Sequence, residues 1–209
     1  MAAAAFQNLA VNEDNEVAIV KAGAIPPLVE LLGSGTADAK DSAATTLQNL
    51  ALNDNDMVAI VKAGAIPRLV ELLGSGTADA KESAATALSN LAVTEDNGVA
   101  IVKAGAIPPL VELLRSGTAD AKEQAAAVLR ILTFNDDNMV AIVKAGAIPP
   151  LVELLGSGTA DAKESAATAL SNLAVNEDNE VAIVKAGAIP PLVELLMSGT
   201  DVAKEDAAR

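Results

Sequence analysis

The sequence predicts an all-α solenoid, one helical unit repeated along the whole chain. Three observations predict it. The string Val-Ala-Ile-Val-Lys-Ala-Gly-Ala-Ile-Pro begins at Val17, Val58, Val99, Val140 and Val181, a spacing of 41 residues every time. The apolar residues, 51% of the chain, are mostly Ala, Leu, Val and Ile, with two Phe and no Trp or Tyr. Ala and Leu are the strongest helix formers, and Ala lets helices approach closely. Finally, Gly and Pro recur at fixed points of the unit, with all nine prolines at one junction.

The second unit shows each element in turn. Val58 to Ala63 forms a short apolar segment that ends at Gly64, a residue that adopts positive φ cheaply. Lys62 sits in the last turn, where a cation complements the helix dipole. Ala65-Ile66-Pro67 opens a second helix, where the missing N–H of Pro costs nothing. That helix carries Leu69, Val70, Leu72 and Leu73 and stops at Gly74-Ser75-Gly76. Thr77 then caps a longer third helix, with Asp79 in its first turn and Ala84, Ala85, Leu88 and Leu91 at helical spacing. Residues 58–98 and 140–180 differ at only three positions: Arg68/Pro150, Thr94/Asn176 and Gly98/Glu180. Such similarity favours recent duplication or design.

No unit buries its apolar faces alone, so stability comes from stacking on neighbours, each buried Leu or Ile contributing about 1.5 to 3 kcal/mol. The expectation is a single solenoid over residues 1–209. Partial third helices are expected at both ends, because residues 2–11 match 43–52 and residues 200–209 match 36–45. Such ends are expected either in a segment of a longer array or in copies that meet head to tail.

Composition also excludes functions. Neither Cys nor His is present, which removes disulfides, thiolate chemistry and ordinary zinc sites. A formal charge of −14 argues against nucleic acid, whose binding needs Lys and Arg on phosphates. It favours basic partners. No apolar run approaches the roughly 18 to 20 residues that span a bilayer, and the first residues lack a basic signal-peptide segment. The expectation is therefore an intracellular protein, cytoplasmic or nuclear, without cofactor. Catalysis is not expected, since general acid–base work needs His or paired acids in a closed pocket. The Asn53-Asp54-Asn55-Asp56 run lacks the Gly and Glu of a calcium loop and reads as a cap for the next helix.

The Gly-Ala-Ile-Pro-Pro-Leu-Val-Glu-Leu-Leu string of residues 105–114 and the Ala-Leu-Ser-Asn-Leu-Ala string of 87–92 resemble the second and third helices of armadillo repeats. The likeness recurs in every unit. HEAT repeats, the nearest competitor, usually have two helices and lack this corner. The resemblance implies a right-handed superhelix whose third helices line the concave side.

On the third helix, Asp79, Ser83, Thr86 and Asn90 fall at i, i+4, i+7 and i+11, one stripe of the helix surface. Asp161, Ser165, Thr168 and Asn172 repeat it, as do Asp38, Ser42, Thr45 and Asn49; Asn8 belongs to the same row. The third unit departs, with Asp120 followed by Gln124, Ala127 and Ile131, and Ile131 is a candidate apolar contact. A carboxamide pairs with both the N–H and the C=O of one residue in an extended peptide. A dipeptide advances about 6.6 to 6.8 Å, and helices pack about 8 to 10 Å apart, a gap that curvature closes. The resemblance implies that these Asn hold a peptide backbone. Importin-like members also place Trp four residues before the Asn, where Thr45, Thr86, Ala127 and Thr168 stand here. The reading is a non-enzymatic scaffold that binds an extended basic segment, with the four Asp attracting its basic side chains. Those Asp also stabilise their helix dipoles without any ligand, and the Asn row is also placed to bond the preceding helix. The alternative is a structural or engineered consensus array without a ligand. The Glu30, Glu71, Glu112, Glu153 and Glu194 row reads as a solvated face.

Overall fold

The computed structural model describes residues 2–208, so the outermost residues of the two expected partial helices, 1 and 209, lie outside the described residues. Every regular element among these is a helix. The chain divides into two compact units, residues 1–106 and 107–209.

The first unit contains α1 (Ala2–Leu9), α2 (Glu13–Lys21), α3 (Ile25–Ser34), α4 (Ala37–Leu50), α5 (Asp54–Lys62), α6 (Ala65–Ser75), α7 (Ala78–Leu91) and α8 (Glu95–Lys103). The second contains α9 (Ile107–Ser116), α10 (Ala119–Leu132), α11 (Asp136–Lys144), α12 (Ile148–Ser157), α13 (Ala160–Leu173), α14 (Glu177–Lys185), α15 (Ile189–Ser198) and α16 (Asp201–Ala208). The first helix of the repeat starts earlier than its apolar segment suggests, at Asp54 rather than near Val58. Asn53 is the reason: its side chain accepts the Asn55 N–H, and Asp54 and Asp56 complement the dipole of the first turn. The run read as a cap is one. The second helix passes through Gly74 and ends at Ser75.

Between the first and second helices the chain turns sharply, by 81° from α2 to α3 and by 86° from α11 to α12. Gly64 makes the equivalent corner with φ +80°, a conformation in which a Cβ would crowd the carbonyl. At the second corner the glycine serves closeness instead. A Cβ on Gly76 would meet the Leu72 carbonyl oxygen at 2.8 Å. Thr36, Thr77, Thr118 and Thr159 then cap the third helices, Thr77 Oγ1 accepting the Ala80 N–H at 3.1 Å.

In the first unit α1 packs on α4 and α4 on α7; in the second, α10 packs on α13 and α13 on α16. The contact faces are small. Ala43, Ala44, Ala84 and Ala85 are buried in the first unit, and Ala125, Ala126, Ala166 and Ala167 in the second. The second helices close each layer from below with Leu28, Leu69 and Leu72 in the first unit and Leu110 in the second, all fully buried.

Two glycine substitutions at opposite ends of α6 are expected to act in opposite directions. Gly74→Ala, in a helix with open space around its Cβ, should stabilise by about 1 kcal/mol. Gly64→Ala should destabilise by about 1 to 2 kcal/mol. Thermal midpoints by circular dichroism check this, and equal shifts would contradict it.

Candidate functional site

Within each unit the third helices stack so that equal positions of consecutive repeats meet, and polar side chains bridge them. In the first unit the Ser83 hydroxyl bonds Thr45 Oγ1 at 3.0 Å, and Thr45 donates onward to the Asp41 carbonyl. In the second unit Thr168 donates to the Asp206 carboxylate, the same link three repeats on, with Asp206 in the place of the serine. Ser42, Ser83 and Ser165 are only 7%, 9% and 8% exposed. The structure therefore places the serines within the helix contact. Thr86 is half-buried, its hydroxyl donating to the Glu82 carbonyl.

Asn49, Asn90 and Asn172 are half-buried, while Asn8 is exposed. Asn90 Nδ2 donates to the Gln48 carbonyl at 3.3 Å, and Asn172 Nδ2 donates to Thr133 Oγ1 at 3.0 Å. The two bonds are variants of one. Arg130 stands where Gln48 stands, and Thr133 sends its own proton to the Arg130 carbonyl at 2.6 Å. The threonine hydroxyl thus relays the link that Asn90 makes directly. Either bond uses one amide N–H and fixes the plane of the carboxamide. Ile131 and Gln124 are half-buried, and Gln124 Nε2 donates to Glu123 at 3.4 Å. Asp38, Asp79, Asp120 and Asp161 are all exposed, as are the five Glu of the solvated row.

Two recurring features escape sequence reasoning. In the second unit the glutamate of one third helix serves the cap of the next: Thr159 donates to Glu123, and Thr200 to Glu164 at 2.7 Å. A second asparagine row, at the start of the first helices, donates to the end of the preceding third helix. Asn97 reaches the Leu91 carbonyl at 2.8 Å, Asn138 that of Leu132 at 3.2 Å and Asn179 that of Leu173 at 2.9 Å. The signal was present, since Asn15, Asn97, Asn138 and Asn179 share a register.

Asp56 occupies that register in α5 of the first unit. A carboxylate has acceptors only, and burial pushes its pKa above the ordinary 3.8. Asp41 is also raised, first by burial and then by the charges of Asp79 and Asp38.

Among the described residues, no group of three or more acids is placed to hold a metal ion. No single helix there is long and apolar enough to cross a membrane.

Stacked three-helix units with polar rows across their third helices define a repeat scaffold that presents a surface. The chain belongs to the armadillo family: the Armadillo/beta-catenin-like repeat matches residues 12–52, 57–93, 95–134, 135–175 and 176–209. No curated protein matches the chain. Among solved structures, an engineered protein is 35% identical, with a TM-score of 0.84 over 99% of this chain and 86% of its own. A computationally designed armadillo repeat protein for modular peptide recognition is 26% identical, with a TM-score of 0.87 over 99% of this chain and 89% of its own. A designed armadillo repeat protein in complex with the peptide (KR)4 is 26% identical, with a TM-score of 0.82 over the same shares.

Asp56→Asn is expected to stabilise the protein at neutral pH by about 1 kcal/mol, by supplying the donor for the Leu50 carbonyl. A folded-state pKa above 3.8 means that the neutral acid is the form the fold favours. Its stability contribution is full below 3.8 and is lost as pH rises through the raised value. The gain from the substitution should therefore shrink as pH falls from the raised value towards 3.8 and be smallest below 3.8. Thermal unfolding at pH 7 and pH 3 measures both; a gain independent of pH would contradict the assignment.

Proposed function

We propose that this chain is a non-enzymatic scaffold that binds an extended basic segment across its third helices, the segment's backbone paired with Asn49, Asn90 and Asn172. One observation carries the reading. Asn90 and Asn172 each commit one N–H to the preceding third helix, a bond that orients the second N–H and the Oδ1 as a donor–acceptor pair. Such a pair matches the N–H and C=O of one peptide residue. The formal charge of −14 and the exposed Asp38, Asp79, Asp120 and Asp161 favour a cationic ligand. A designed relative of the same fold is in complex with (KR)4, which supports that choice.

The same residues have a purely structural use. The serine and threonine hydroxyls of the row are bonded between or within third helices, which favours a structural or engineered array without a ligand. Titration separates the two readings. A fluorescein-labelled (KR)4 peptide should bind wild type and lose roughly 5- to 30-fold in affinity on Asn90→Ala or Asn172→Ala. Asn97→Ala removes a comparable inter-helix bond from the other row and should leave binding unchanged. Equal binding by all four proteins contradicts the asparagine reading, and no binding contradicts the scaffold reading.

A further inference from the structure

Five large apolar residues stand exposed at one register of the repeat, just past the end of the third helix. In the first unit these include Leu52, 72% exposed, and Val93, 62% exposed; in the second, Phe134 and Val175, 69% and 76% exposed. Val11 completes the register. Each lies three residues beyond a position of the asparagine row. In the second unit Ile131 replaces the asparagine next to Phe134, so the apolar surface widens there.

We propose that the segment bound by this scaffold alternates basic and aliphatic residues, and that its aliphatic side chains rest on this apolar row. The inference rests on the asparagine-paired reading above. Successive side chains of an extended peptide point to opposite sides. A backbone held at Asn90 or Asn172 therefore sends every second side chain toward the C-terminal ends of the third helices, where Val93 or Val175 lies within reach of any aliphatic group. The other side chains point toward the helix N-termini. There Glu82 and Glu164 stand eight residues before the asparagine, about 12 Å away, and Asp79 and Asp161 eleven residues before, about 16 Å away. A lysine stem of five bonds of about 1.5 Å each, meeting a glutamate, spans the shorter distance and not the longer. Along the axis the glutamates are the nearer acids, Glu164 also accepting the Thr200 hydroxyl, while the aspartates share the asparagine's stripe.

The surroundings of the apolar row favour the same occupant. In the second unit a cleft of about 480 Å³ between α11 and the start of α14 is floored by Met139, Val140, Val143 and Val175 and edged by Asp136 and Asp178, with Lys144 also on its lining. An apolar floor with an acidic edge fits an aliphatic side chain flanked by cations.

The experiment compares (Lys-Val)4 with (Lys-Ser)4, two labelled peptides of equal charge, against wild type and the Val93→Ser, Val175→Ser double variant. Both substitutions lie at exposed positions. Wild type should bind (Lys-Val)4 at least tenfold more tightly, and the double variant should lose that preference while binding (Lys-Ser)4 as before. Equal affinity of wild type for both peptides overturns the apolar row alone and leaves the asparagine reading standing. A preference that survives in the double variant does the same. Failure of both peptides to bind overturns the scaffold reading and this inference together. A wild-type dimer by light scattering that becomes monomeric in the double variant makes a second copy the occupant, and overturns the proposal.

Discussion

Everything in this structure depends on how closely one third helix lies against the next. Small residues set that distance: Ala43 and Ala44 are buried in α4, which packs on α1 and α7, and Ala166 and Ala167 in α13, which packs on α10 and α16. Larger side chains would push the helices apart, and the bonds across the contact would fail with them. Thr45 and Ser83 meet at 3.0 Å because the backbones are close enough. So do Asn90 and the Gln48 carbonyl, and Thr200 and Glu164. The polar rows across the third helices are therefore consequences of the packing, spaced by it and oriented by it.

What could be read along the chain was what depends on near neighbours. The 41-residue period, the threonine caps, the glycine of positive φ at the corner and the leucine faces are all decided within a few residues, and the structure repeats them unit by unit. The second helix showed the limit of that method, because Gly74-Ser75 reads as a stop and yet remains helical through Ser75. Contacts between repeats were harder. Thr159 and Glu123 are 36 residues apart, and Asn172 and Thr133 are 39 apart. Nothing local links them until stacking brings equal registers together. For the candidate site, the sequence placed the asparagine row but not the burial of its serines, since both share one helical stripe and only the neighbouring helix distinguishes them.

The altered third unit illustrates how such an array tolerates change. Ile131 removes one carboxamide from the row, and Thr133 appears two residues later as the acceptor that Asn172 uses. The inter-helix bond is kept by a hydroxyl relay to the Arg130 carbonyl. Asp206, in the place of a serine, likewise keeps the link to Thr168. Chemistry changes at a position while the spacing survives, as expected where each unit contacts only its neighbours.

The central claim is that the carboxamides of Asn90 and Asn172 pair with a peptide backbone while those of the other asparagine row serve structure alone. Nuclear magnetic resonance of the side-chain amides tests it directly. On titration with a basic extended peptide, the NH2 resonances of Asn90 and Asn172 should move in a saturable manner, and those of Asn97 and Asn179 should stay in place. Movement of the second pair without the first, or of neither at saturation, would contradict the account.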